Sequence, residues 1–219
     1  MLIDTLNECI IDMKTVREME TTSADTKKQA MADYDFKQLV LSLKRVVDEV
    51  NLAVTNSEFR PSANVVNALK SFLNSCEKVV QAGAASKVTT QYISSELKKI
   101  YALIGQEWAA YYAKETTNAL NLLNIVKGLI PDEKKAIYAS NKIKKATLWN
   151  TTVDNYNSLK QGIAEANKIL DELGLEKDSE VLAFLKLVSE GNATIMDLTD
   201  GVLTWIKNEK LAGKMYISF

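Results

Sequence analysis

Six side chains between residues 134 and 149 are the best local case for chemistry in this 219-residue chain. Wound into an α-helix at about 100° per residue, Lys134, Lys135, Tyr138, Lys142, Lys145 and Trp149 fall within an arc of roughly 100°. Ala136, Ala139, Ile143 and Ala146 then face elsewhere, and no acid interrupts the stretch. Ammonium groups on such a face hold phosphates by charge, and the two rings offer flat surfaces on which a base or sugar stacks. A solvated lysine face ending in a buried tryptophan has the same pattern. Lysine outnumbers arginine by 24 to 3, so the forked guanidinium that grips bases and phosphates in pairs is scarce. Non-specific nucleic-acid contact is the most that this face supports.

Other chemistry is excluded more firmly. The chain contains no histidine, which removes Ser-His-Asp and Cys-His nucleophile systems, a histidine general base and the common histidine-rich metal centres. Catalysis would rest on carboxylates, lysine or tyrosine. Carboxylates pair at Asp33 and Asp35, at Asp48 and Glu49, and at Asp132 and Glu133. A hydrolytic metal site in a bundle draws acids from several helices and completes them with an ExxH step, so these pairs read as helix-start charge or solvated surface. No phosphate loop of the GxxxxGK(S/T) or GxGxxG kind occurs. Cys9 and Cys76, the only cysteines, lie on apolar stripes as small buried hydrophobes and exclude a disulfide framework or a CxxC zinc site. No catalytic residue, metal ligand or cofactor is therefore assigned, and a non-catalytic chain is expected.

Aromatic residues offer a different role. Trp108, Tyr111 and Tyr112, beside Glu107, are of the type favoured at interface centres, where they bury much area with few torsions to freeze. With Trp205, Met215, Ile217 and Phe219 they form the candidate protein interface, and core packing is the alternative use of such side chains. Residues 171–200 hold eight acids against Lys177 and Lys186. An acidic stretch so close to a basic one can steer a protein partner, and it can equally be ordinary surface.

Helices must position these groups. Glycine totals 8 and proline 2, too few for the hairpin turns of an all-β fold, and 47% hydrophobic residues suffice for a sizeable core. Apolar side chains recur at steps of three and four. The spacing predicts helices over about 2–20, 27–55 and 62–82, the last capped by Ser62 and carrying two adjacent stripes (Val65, Leu69, Phe72, Cys76 and Val79; Val66, Leu73 and Val80). A very long helix is expected over about 90–128, started by Thr89 or Thr90, with Gly105 and residues 116–118 as places to bend. Residues 132–173 read as one interrupted or two successive helices with the weak point at 150–152. The second half places Val153, Tyr156, Ile163, Ala166, Leu170 and Leu173 on a heptad face, and Gly174 looks like a helix end. A short helix over about 178–190 ends at Gly191, another runs from Thr199 through Trp205, and residues 215–219 alternate as a short terminal β-strand would.

The fold class expected is all-α: an elongated multi-helix bundle of long amphipathic helices over residues 1–175, with a short-helix C-terminal appendage over 176–219 packed on the bundle or on a partner. Residues 1–14 carry Asp4, Glu8 and Asp12 and lack the basic start and cleavage site of a secretory signal. No segment approaches the run of about 18–20 apolar residues that spans a bilayer, and the net charge of −1 gives no overall field toward nucleic acid or an anionic membrane. A cytoplasmic location without a membrane span is expected. The function expected is a helical interaction or adaptor subunit that docks on other protein subunits, or on itself, within a larger assembly. The alternative is a nucleic-acid-associated accessory subunit, beside a nuclease or ATPase, that uses the face at 134–149. An enzyme lacks a convergent acid, base or nucleophile here, and a membrane-active bundle lacks a long apolar hairpin.

Overall fold

A computed structural model describes residues 24–128, 130, 132–173, 175 and 179–213. Over these residues the chain is an all-α multi-helix bundle with no strand: α1 (Ala24–Asn56), α2 (Ala63–Gln81), α3 (Lys87–Val126), α4 (Glu133–Lys144), α5 (Val153–Glu172), α6 (Glu180–Glu190), a 3₁₀ turn (Ile195–Asp197) and α7 (Asp200–Asn208). The helix expected over 2–20, the strand expected over 215–219, Cys9, Met215, Ile217, Phe219 and the helix end at Gly174 lie outside the described residues.

The helices start where side chains satisfy the otherwise orphaned amides of a first turn. Ser62 accepts from the Asn64 amide, Asp132 from the Lys134 amide, Ser179 from the Leu182 amide and Thr199 from the Val202 amide. α3 starts a few residues before Thr89 and Thr90, because Ser86 takes the capping role. Its hydroxyl accepts from the Thr89 amide at 3.1 Å while Thr89 Oγ1 accepts from the Ser86 amide at 2.9 Å. Gly191, at φ +70°, closes α6 in the left-handed region where only glycine is unstrained.

α3 is the single very long helix expected, unbroken through Gly105 and residues 116–118, whereas the end of α4 and the second stripe of α2 depart from the expected pattern. A helical glycine costs only about 1 kcal/mol, and Thr116, itself buried, donates its hydroxyl to the Tyr112 carbonyl at 2.7 Å. α4 stops at Lys144, well short of 150–152. Thr147 Oγ1 covers the Lys144 carbonyl at 2.7 Å, and Lys142 and Lys144 in the last turn complement the negative helix end. The second stripe of α2 is incomplete, since Leu73 is buried but Val66 is exposed.

The described residues form two compact units. One contains those up to Tyr111 together with Leu148–Val153; the other contains Tyr112–Thr147 together with those from Asp154 onward. The first unit buries Phe36, Val40 and Leu43 of α1, Phe72 and Cys76 of α2, and the α3 stripe from Ile93 to Trp108. Asp33 fastens the turn before α3 to α1: its carboxylate accepts from the Ala85 amide at 2.8 Å and from Gln29, which also donates to the Ala85 carbonyl. Of the pair Asp33 and Asp35, Asp33 thus has a structural role.

In the second unit, α5 buries Tyr156, Leu159, Gly162, Ala166 and Ile169. This seam is rotated from the expected heptad, leaving Val153 exposed and Ile163 half-buried. Gly162 is the reason, and a reading of apolar side chains passes over it. A Cβ there would stand 2.8 Å from the Ala139 carbonyl oxygen and from the backbone nitrogen and Cγ1 of Ile143, so α4 and α5 approach backbone to backbone. Gly162→Ala should force them apart and destabilise the fold by about 1–3 kcal/mol, visible as a lowered Tm. An unchanged Tm would mean that this approach is not held in solution.

Candidate functional site

The basic face does not survive as one surface. Lys134, Lys135 and Tyr138 are exposed on α4 and line a shallow depression of about 410 Å³ with Asp132, Ile137 and Asn141. Lys142 is turned inward. Its ammonium donates to Glu165 of α5 at 2.6 Å and lies 4.5 Å from the centre of the Tyr138 ring, leaving only 14% of the side chain exposed. The hydrogen bond to Glu165 holds the Lys142 ammonium above the ordinary lysine range. Lys145 follows the helix end and is exposed. Trp149 lies beyond the helix and is buried, its ring 5.4 Å from Tyr101 in the first unit. Because the helix stops at Lys144, the arc that would have joined the tryptophan to the lysines is never completed.

The aromatic candidates divide in the same way. Trp108 is buried at the centre of a cluster, edge-on to Phe59 at 5.3 Å and tilted against Tyr111 at 5.2 Å. The Tyr111 hydroxyl accepts from the Glu58 amide, and Glu107 accepts from both the amide and the hydroxyl of Ser62. These bonds tie the loop before α2 to α3. Tyr112 donates to the Ile143 carbonyl at 3.2 Å within the second unit. Trp205, also buried, donates to the Leu173 carbonyl at 2.7 Å. Trp108 and Trp205 therefore have structural roles, and Tyr111 and Tyr112 are half-buried with their hydroxyls engaged.

The more exposed apolar feature was missed by periodicity. Between α6 and α7, Thr194 and Asp197 bond in both directions: the Thr194 amide and hydroxyl donate to the Asp197 carboxylate at 2.7 Å, and the Asp197 amide donates to the Thr194 carbonyl at 3.1 Å. The bonds to the carboxylate, the hydroxyl first, hold Asp197 below the usual carboxylate range. The turn so fixed presents Met196, 89% exposed, and Ile195, 58% exposed. Residues 190–200 contribute Glu190, Asp197 and Asp200 and no base. The T-x-x-D spacing at 194–197 is the signal that could have revealed this tip.

The half-buried Glu49 carries unspent polarity. Glu49 Oε2 is inaccessible to solvent and has no hydrogen-bond partner among the described residues. Burial raises its pKa; Arg45 opposes the shift and Asp48 adds to it. Burial also raises the nearby Tyr101 phenol, with Glu49 contributing. No group of three or more cysteine and carboxylate side chains among the described residues could hold a metal ion, and no helix among them is long and apolar enough to cross a membrane. No protein-family model matches the sequence, and neither a curated protein nor a solved structure matches it.

The Glu49 geometry fixes a pH dependence. Burial favours the neutral carboxyl, so the folded chain holds this proton more tightly than the unfolded chain does. The associated stability is fully present below the ordinary glutamate pKa and is lost as pH rises through the raised value. Glu49→Gln should flatten the corresponding fall in Tm as pH rises above the ordinary glutamate range without destabilising the fold at neutral pH. Parallel curves for parent and variant would contradict the assignment.

Proposed function

We propose that this chain is a non-catalytic helical adaptor that docks on partner proteins through surface apolar groups. The observation that carries this reading is the Ile195–Met196 tip, exposed on a turn closed by the Thr194–Asp197 hydrogen bonds and flanked by acids. An apolar knob with a negative rim suits a protein pocket bordered by lysine or arginine, since apolar contact supplies affinity and complementary charge guides approach. The absence of convergent chemistry in the sequence supports the same reading. A cytoplasmic setting fits a chain with two cysteines and no disulfide framework.

A second reading is favoured by a narrower observation. Lys134, Lys135 and Tyr138 share one exposed depression, which suits weak, sequence-independent contact with a nucleic-acid backbone. Lys142 does not belong in a test of it, since reversing that charge would set two acids against each other at Glu165.

One experiment separates the two. The full chain, its Met196→Glu variant and its Lys134→Glu/Lys135→Glu variant are each used to isolate complexes from the native host, with masses read by light scattering. Adaptor docking predicts a complex of defined mass that is lost with Met196→Glu, whose exposed position leaves folding intact, and kept in the lysine variant. Salt-sensitive nucleic-acid capture lost only in the lysine variant would favour the second reading. A parent chain that captures nothing would contradict both.

A further inference from the structure

The outward side of α1 carries a second seam, opposite the one that enters the core. Lys27, Met31, Tyr34, Gln38, Leu41, Arg45 and Asp48 recur at alternating steps of four and three, and all are exposed. That spacing keeps them on one helix face, while Ala32, Phe36, Val40, Leu43 and Val47 are buried on the other. Met31, Tyr34 and Leu41 remain 68%, 58% and 38% exposed, so a surface-facing stripe about 30 Å long is apolar on either side of a central Gln38 and charged at its ends.

Read in reverse, this stripe is its own complement. When a second α1 is laid antiparallel about Gln38, Lys27 meets Asp48, Met31 meets the aliphatic stem of Arg45, Tyr34 meets Leu41 and Gln38 meets its own copy. The levels agree to within one residue, or about 1.5 Å of helix rise. A parallel arrangement would instead set Lys27 beside Lys27 and Asp48 beside Asp48. We propose that this face is a homodimer interface, with α1 of one protomer antiparallel to α1 of its partner across a two-fold axis at Gln38.

The occupant is a second copy of this chain because the charge order of the seam selects one. An isologous contact repeats every pair, so one geometry supplies two Lys27–Asp48 ion pairs and two Tyr34–Leu41 contacts. Apolar groups at the centre and charges at the rim follow the usual layout of a specific interface. Gln38, polar in the middle of the seam, penalises slipped registers as a lone polar residue does in paired helices. One helix face is a small contact by the standard of stable complexes, so the dimer is reversible and salt-sensitive. The proposal uses α1 alone and stands independently of docking through the Met196 tip.

Sedimentation of the full chain from about 1 to 300 μM tests it. The mass should rise from 24.4 kDa toward twice that value. Leu41→Glu, with its helicity checked by circular dichroism, should weaken association about tenfold or more, as should Lys27→Asp or Asp48→Lys alone. Lys27→Asp with Asp48→Lys in one chain restores the ion pairs with their signs exchanged and should recover the dimer. Gln38→Cys, made with Cys9→Ser, should yield a disulfide-linked dimer on mild oxidation because the two copies of that position meet. A constant mass of 24.4 kDa, association indifferent to Leu41→Glu, or a double charge variant no stronger than the single ones would overturn the proposal. Each of these failures leaves capture of a foreign partner through Met196 unaffected.

Discussion

The apolar stripe of α3 is buried from Ile93 through Leu97, Ile100 and Ile104 to Trp108, and the order of the first unit depends on hiding it. Each large apolar side chain withdrawn from water contributes about 1.5–3 kcal/mol, more than the net gain of about 1 kcal/mol from a typical hydrogen bond. The polar contacts around α3 are therefore secondary in strength but decisive in position. Glu107 and Tyr111 hold the loop before α2, and Asp33 holds the turn before α3. Phe59 closes over Trp108 in the same loop. Hydrophobic burial supplies the stability, and these few carboxylate and hydroxyl contacts select which loop conformation accompanies it.

That division of labour governs what remains for function. Trp108, Trp149 and Trp205 are all buried, and Lys142 is held by Glu165 across two helices. These four side chains are thus occupied in holding the fold together, whereas Lys134, Lys135 and Tyr138 stay exposed. Among the described residues, three exposed surfaces differ in character: the Ile195–Met196 tip with acidic neighbours, the depression beside Lys134 and Lys135, and the outward seam of α1. The proposed docking role rests on these exposed surfaces.

Much of the architecture was legible in the spacing of apolar residues, because a buried stripe imposes its period whatever its partner. α1, α2, α3 and α6 fall close to their expected bounds, and Ser62 and Thr199 cap as their positions suggest. The end of α4 was not legible. Lys145 and Trp149 continue the periodicity of the lysine face, yet Thr147 covers the Lys144 carbonyl and Trp149 is buried beside Tyr101 rather than extending the helix. Gly162 was invisible for the opposite reason: its role is to have no side chain where α4 comes close. In the candidate sites, residue type was a fair guide to chemistry but not to exposure. Exposure depends on neighbours far along the chain, such as Glu165 for Lys142 and Leu173 for Trp205.

Hydrogen exchange read by mass spectrometry on the intact chain reports how firmly the α3 stripe holds the first unit together. If the α3 stripe organises the first unit, amides of residues 97–108 should exchange only through global unfolding, far more slowly than those of residues 192–199 in the α6–α7 connection. Exchange in the middle of α3 as fast as in that connection would contradict the account. The helix would then be a spectator to the fold rather than its support.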